Sequence, residues 1–163
     1  MKVVSNSSVL ISLSSINRLE LLKDKFGEIQ IPQAVWTEVV VAGEGEPGSI
    51  EVKNADWIEI VNVSDKNLVV ALNEILDLGE SEAIALALEI GTNVILIDEK
   101  DARLIATKYQ LNPLGTVGIL IWAKKNGKFN NLKEELDRLI IEGDFRISHQ
   151  VYQYALEKVG ESE

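Results

Sequence analysis

"NVILIDEKDAR", residues 93–103, decides the fold. Val94–Ile97 is an unbroken apolar run, which suits a strand buried on both faces of a parallel sheet. It breaks off into Asp98, Glu99 and Asp101, and a helical pattern follows through "DARLIATKYQ". Strand, acidic break and helix form the repeating unit of an α/β fold. In such folds ligands sit beyond the carboxyl ends of the strands. Asp98 is therefore either the cap of the next helix, where acids are favoured, or part of a site.

The same alternation extends in both directions. "KVVS" at the start and "EIQIP" at 28–32 are short strand patterns, and "WIEIVNV", 57–63, alternates like a strand with one wetter face at a sheet edge. Between the first two, Ile16, Leu19, Leu22 and Phe26 predict one face of a helix that stops at Gly27. Pro32 suits the first position of a helix "PQAVWTEVVVAG" ended by Gly43. "GEGEPGS", 43–49, is a loop by composition, residues 66–76 read as helical, and "GESEAIALALEIG", 79–91, is a strong helix closed by glycine. After the decisive stretch, "NPLG" has the length of a last short strand. Helices follow at "TVGILIWAKKNG", at "NLKEELDRLIIEG" with Leu132, Leu136, Leu139 and Ile140 on one stripe, and at "HQVYQYALEKVG". The pattern predicts an α/β fold with a parallel sheet and helices on both faces. It predicts one domain over 1–163, with C-terminal helices from about 130.

Composition narrows the chemistry. The chain has 163 residues, no cysteine and one histidine, His149, at the start of the last predicted helix. Thiolate metal sites, disulfides and histidine clusters are thereby excluded, and a reducing cytoplasm is the expected setting. No segment approaches the roughly 20 apolar residues of a membrane span, and the serine-broken N-terminus does not read as a secretory leader. No P-loop or GxGxxG occurs. Any metal must be held by oxygens, which selects hard cations, Mg²⁺ or Mn²⁺.

Net charge is −10, yet residues 100–133 carry seven cations against the single acid Asp101. Such asymmetry reads either as solvated helix faces or as an anion-binding rim, with Lys100, Arg103, Lys124 and Lys125 as its candidates. Among the acids, Glu38 has Ala34, Val41 and Ala42 as its helical neighbours. A carboxylate there either keeps its head in water at the stripe's border or is paired or metal-bound. Glu80 and Glu82 open a helix, an ordinary place for acids. Asn6 ends the first strand, as a turn residue or as a carbonyl donor.

In order and spacing, "VVSNSSVLISL", "IPQAVWTEVV", "LGESEAIALALE", "LIDEKDARLIA" and "LGTVGILIWAKKNG" resemble PIN-domain proteins, and "DFRIS" near the end is similar to the same branch of prokaryotic relatives. The resemblance implies a three-layer α/β/α fold with a central parallel sheet. It implies a Mg²⁺- or Mn²⁺-dependent endoribonuclease, of the kind that serves as toxin in a toxin–antitoxin pair. RNA, an antitoxin protein and a second copy of the chain would be its partners. Carried over by position, the site comprises Asn6, Glu38, Glu80 and Asp98 as metal ligands, with the last three catalytic. Ser7, Glu82, Asp101 and Thr116 would support it. Asn6 departs from the aspartate usual at that position. The alternative is therefore a nucleic-acid-binding or regulatory module of the same fold with weak or no nuclease activity. A phosphotransfer domain using Asp98 as acceptor is disfavoured, because the acidic pair it needs after the first strand is missing.

Overall fold

Val4–Ser5 (β1), Ile29–Ile31 (β2), Ile58–Ile60 (β3), Val94–Leu96 (β4) and Asn112–Leu114 (β5) pair in parallel, in the order β3-β2-β1-β4-β5. The structure is a computed structural model and describes residues 2–161. Strand side chains alternate between two cores. Val3, Leu96, Ile29 and Ile31 join one core, while Val4, Ile95 and Ile97 join the other. This period of two is why the inner strands are mostly apolar: neither of their faces is wet, whereas Glu59 on the edge strand β3 and Asn112 on the edge strand β5 are exposed. Gln30, in the inner strand β2, is polar yet buried on the face opposite Ile29 and Ile31, with its amide reaching Glu59 at 3.5 Å.

The helices cover both faces. Helices α1 (Ser7–Ser15), α2 (Glu20–Phe26) and α3 (Gln33–Trp36) precede α4 (Ser49–Asn54), α5 (Lys66–Leu72), α6 (Leu78–Ile90) and α7 (Lys100–Lys108). Helices α8 (Thr116–Lys125), α9 (Leu132–Ile141) and α10 (His149–Lys158) complete the chain. One core gathers residues of α1, α2, α3, α8, α9 and α10, and the other those of α5, α6 and α7. Helices, sheet and helices make the three-layer α/β/α architecture.

Three local departures from the sequence reading have physical causes. The helix expected through 26 is two helices, because Asn17 takes a left-handed conformation, φ 61°. Asparagine tolerates that region better than most residues. Its neighbour Arg18 then reaches Glu135 Oε1 at 2.5 Å, and Arg138 binds both Glu135 and the Ile16 carbonyl, so the break anchors α9. Pro32 caps α3 rather than opening it, and α3 passes into a π-helical turn, Thr37–Val41, where the Ala42 N–H reaches the Thr37 carbonyl at 2.8 Å. Gly43 closes that turn because a Cβ there would lie 2.5 Å from the Val39 carbonyl oxygen. Ile140 leaves the expected α9 stripe and is 39% exposed, whereas Leu132, Leu136 and Leu139 are fully buried.

The strand order fixes where a site can form. From β1 the chain adds β2 and β3 on one side, then returns to add β4 and β5 on the other. The crevice at the carboxyl ends of β1 and β4 is thus the topological switch point. Asn6 directly follows β1, its N–H bonded to the Leu96 carbonyl at 2.8 Å, and Asp98 lies two residues beyond β4.

Candidate active site

A cavity of about 550 Å³ opens at that switch point, and its wall includes Asn6, Ser7, Glu38, Asp77, Glu80, Asp98 and Glu99. The structure thus brings together Asn6, Ser7, Glu38, Glu80 and Asp98 from four separate stretches of sequence. Each carboxylate is held by its own donors. The Ser7 hydroxyl donates to Glu38 Oε2 at 2.7 Å. The Glu38 carboxylate also lies against Gly79, where a Cβ would collide with it. The π-helical turn, a feature frequent at functional sites, carries Glu38 to this point.

Asp98 is held by the start of α8. Its Oδ1 accepts the Thr116 N–H and its Oδ2 the Thr116 hydroxyl, each at 2.7 Å. Thr116 is fully buried and acts on the cavity only through Asp98. Gly115 is required beside them, since a Cβ would lie 2.8 Å from Asp98 Oδ1. Glu80 closes a reciprocal cap with Asp77: the Glu80 N–H reaches Asp77 Oδ1 at 2.7 Å, and the Asp77 N–H reaches Glu80 Oε1 at 3.2 Å.

The electrostatics reflect crowding of like charge. Burial pushes the Glu80 carboxyl up to about 7; the Asp77 N–H bond opposes this, and the charges of Asp77, Glu99 and Glu38 add to it. Burial likewise raises Glu38, against the pull of Ser7, with Asp77 and Glu82 adding repulsion. Asp98 is raised by burial and drawn back by Thr116 and by Arg103. Carboxylates that share one cavity raise one another's affinity for protons, and a bound cation relieves that repulsion.

Other expected residues lie elsewhere. The Glu82 carboxylate accepts the Ala34 N–H at 3.0 Å and so caps α3 instead of lining the cavity. Asp101 is exposed on the first turn of α7, away from the cavity wall. Lys100 lies on that wall, and Arg103 stands beside Asp98 with Nη1 on the Ile97 carbonyl at 3.0 Å. Lys124 and Lys125 do not form a rim with them. They sit at the far end of α8, eight and nine residues from Thr116, about 12 Å along the helix at 1.5 Å per residue. Lys124 pairs there with Glu161 at 3.8 Å. Of the other cations in that stretch, Lys128 pairs with Asp24 and Lys133 with Asp137. Near the C-terminus Lys25 lies 4.7 Å from the Trp122 ring centroid, the Tyr152 hydroxyl donates to Asp137, and Tyr154 is exposed. His149 opens α10, but Ser148 provides its cap.

The cavity also holds residues the sequence reading did not single out. Asp77 reads in sequence as nothing more than a helix cap, and Arg146 and Phe145 follow α9 without regular structure. "DFRIS", two apolar residues around an arginine, is the only sequence signal for the latter pair.

Whether these residues suit a divalent cation is testable on one atom. Asn6 is 4% exposed, and its Oδ1 is buried without a hydrogen-bond partner. A buried carbonyl oxygen is costly to leave unpaired, and Asn6 is one of the residues that line the acidic cavity. With carboxylates as the other donors the set is all oxygen and fits a hard cation. Among the described residues no three acids are closed around one point, each being turned onto its own donor.

A family model with the description "PIN domain" matches residues 2–161. No curated protein matches the chain.

Proposed function

The chain belongs to the PIN-domain family, one of nuclease type whose members generally use divalent metal ions, and from that premise we propose that it is a metal-dependent endoribonuclease. The observation that carries this reading is the convergence of Glu38, Glu80 and Asp98 with the unpaired Asn6 Oδ1 at the switch point. Those four residues would hold Mg²⁺ or Mn²⁺. When bound, the cation would polarise the phosphodiester and lower the pKa of an attacking water.

The chain's own residues supply the rest. Ser7 and Gly79 fix Glu38 in place, and Thr116 fixes both oxygens of Asp98. Glu80, whose carboxyl burial raises to about 7 in the metal-free chain, would give up its proton on taking the cation. Arg146 and Lys100 at the wall offer positive charge to the phosphate backbone.

The finer proposals are a toxin role with an antitoxin partner, assembly as a homodimer, and a cytoplasmic setting. Among the described residues no helix is long and apolar enough to cross a membrane. Exposed Val70, Ile75 and Leu78, just before Glu80, supply apolar surface for a protein partner. Sedimentation showing only monomer at micromolar concentration removes the dimer.

Asn6 favours a second reading, a nucleic-acid-binding module with a weakened site, because an amide adds no negative charge for the cation. Calorimetric titration of Mn²⁺ into the wild type and Asp98→Asn separates the two. The nuclease reading expects one saturable site that Asp98→Asn abolishes, together with RNA cleavage stopped by chelator. Absence of Mn²⁺ binding and of cleavage rejects it in favour of the binding module.

A further inference from the structure

Beside the acidic cavity lies a second one of about 410 Å³, and the two share Asp98, Phe145 and Arg146. Its walls differ in kind. Leu114, Val117, Ile121 and Ile147 make it apolar, and Phe145 and Tyr154 add aromatic rings. Gly118 keeps it open next to Leu114, since a Cβ there would stand 2.7 Å from Leu114 Cδ1. Tyr154 is 54% exposed, as an intrachain core residue would not be.

Two arginines, Arg103 and Arg146, line this apolar space in a protein of net charge −10. Arg103 stands beside Asp98, and Arg146 is exposed with no ion pair among the described residues. Lys158 Nζ lies 5.3 Å from the Tyr154 ring centroid. Apolar and aromatic walls with cations beside them match one nucleotide unit. A base is sequence-tolerantly stacked on aromatic rings, and its phosphate is drawn to arginine. The volume falls within the roughly 300–1,000 Å³ typical of small-ligand sites.

We infer that this second cavity receives one base of a single-stranded RNA, that of the nucleotide adjoining the phosphodiester presented to the acidic cavity. The inference rests on the nuclease reading of that neighbouring site. A base still stacked and paired in a duplex cannot enter a side pocket, so the subsite selects unpaired strands. It also places Asp98 between the two functions, facing the reacting phosphate on one side and bounding the base pocket on the other.

The test is fluorescence anisotropy of a labelled 12-nucleotide single-stranded RNA, and of its blunt duplex, with the full chain in chelator. Three variants are compared: Tyr154→Ala at the exposed ring, Val117→Trp to fill the cavity, and Lys125→Ala as a distant control. Circular dichroism checks that each is folded. Loss of one stacking partner is expected to weaken single-strand binding by about fivefold or more in Tyr154→Ala. Val117→Trp should do the same, Lys125→Ala should not, and the duplex should bind more weakly than the strand. Binding indifferent to Tyr154→Ala, or a duplex bound as tightly as the strand, overturns the subsite. Cleavage with Mn²⁺ is followed in parallel to separate the two claims. Cleavage with Tyr154-independent binding removes the subsite and keeps the nuclease. Tyr154-dependent binding without cleavage keeps the subsite and removes the nuclease.

Discussion

Asn6 is the residue on which the cavity's affinity for a cation turns. Its side chain is buried, its Oδ1 is unpaired, and its neighbours are acids whose charges already repel. Asn6→Asp is therefore expected to act with opposite signs in two assays. Without divalent cation it adds a like charge and lowers stability by about 1–2 kcal/mol in denaturant titration. With Mn²⁺ it tightens binding by calorimetry. A variant equally stable in chelator and no tighter for Mn²⁺ would leave Asn6 as a turn residue. Gly79 makes a complementary case, because a Cβ there displaces the Glu38 carboxylate rather than any backbone. Gly79→Ala should keep stability within about 1 kcal/mol, since alanine is the better helix former, while RNA cleavage falls steeply. A stable, fully active Gly79→Ala would show that Glu38 need not be held where it stands.

At the scale of elements, the α8 N-terminus and the α9 anchor do different work. Thr116, at the start of α8, serves Asp98, whereas Lys124 and Lys125 lie at its other end and are not part of the cavity wall. Reversing both lysines to Glu should leave RNA affinity and its salt slope unchanged, although their place in a basic stretch of sequence suggests otherwise. A clear loss of affinity would move the RNA path along α8. The α9 anchor is structural: Glu135, 4% exposed, binds Arg18 and Arg138. Glu135→Ala should cost about 2 kcal/mol in chemical denaturation, the scale of lost charge-assisted hydrogen bonds. A change of a few tenths would mean the arginines find water instead. These elements also show what the sequence made legible. Strands and most helices read correctly because burial on two faces and periodic apolar stripes leave a one-dimensional trace, as at Val94–Ile97 and Leu132–Leu139. The break at Asn17 and the π-helical turn under Glu38 did not, because each depends on a backbone choice of one residue that its neighbours' periodicity does not encode. Asp77 and Arg146 were hidden for another reason: in sequence one is an ordinary cap and the other a loop cation, and only the fold brings both to one cavity.

For the whole molecule, charge and stability are linked through the same cavity. A carboxyl raised from 4.5 to about 7, as in Glu80, binds its proton more tightly in the folded chain than in the unfolded one. Its contribution to stability is complete below about pH 4.5 and is lost as pH rises through about 7. Burial shifts Glu38 and Asp98 in the same direction. A divalent cation competes with those protons, so the rise in melting temperature on adding Mn²⁺ should be small at pH 5 and large at pH 8. Glu80→Gln should flatten that difference, and an equal Mn²⁺ shift at both pH values would separate the acids from the cation site. The most direct test of the catalytic assignment is cleavage of one internally labelled single-stranded RNA with Mn²⁺, by wild type, Glu38→Gln and Asp98→Asn purified identically. The convergence of these carboxylates predicts internal cuts by the wild type that fall more than about 100-fold in each variant, beyond what losing an outer-shell partner costs. Cuts made at the same rate and positions by all three proteins would contradict it and place the activity outside this cavity.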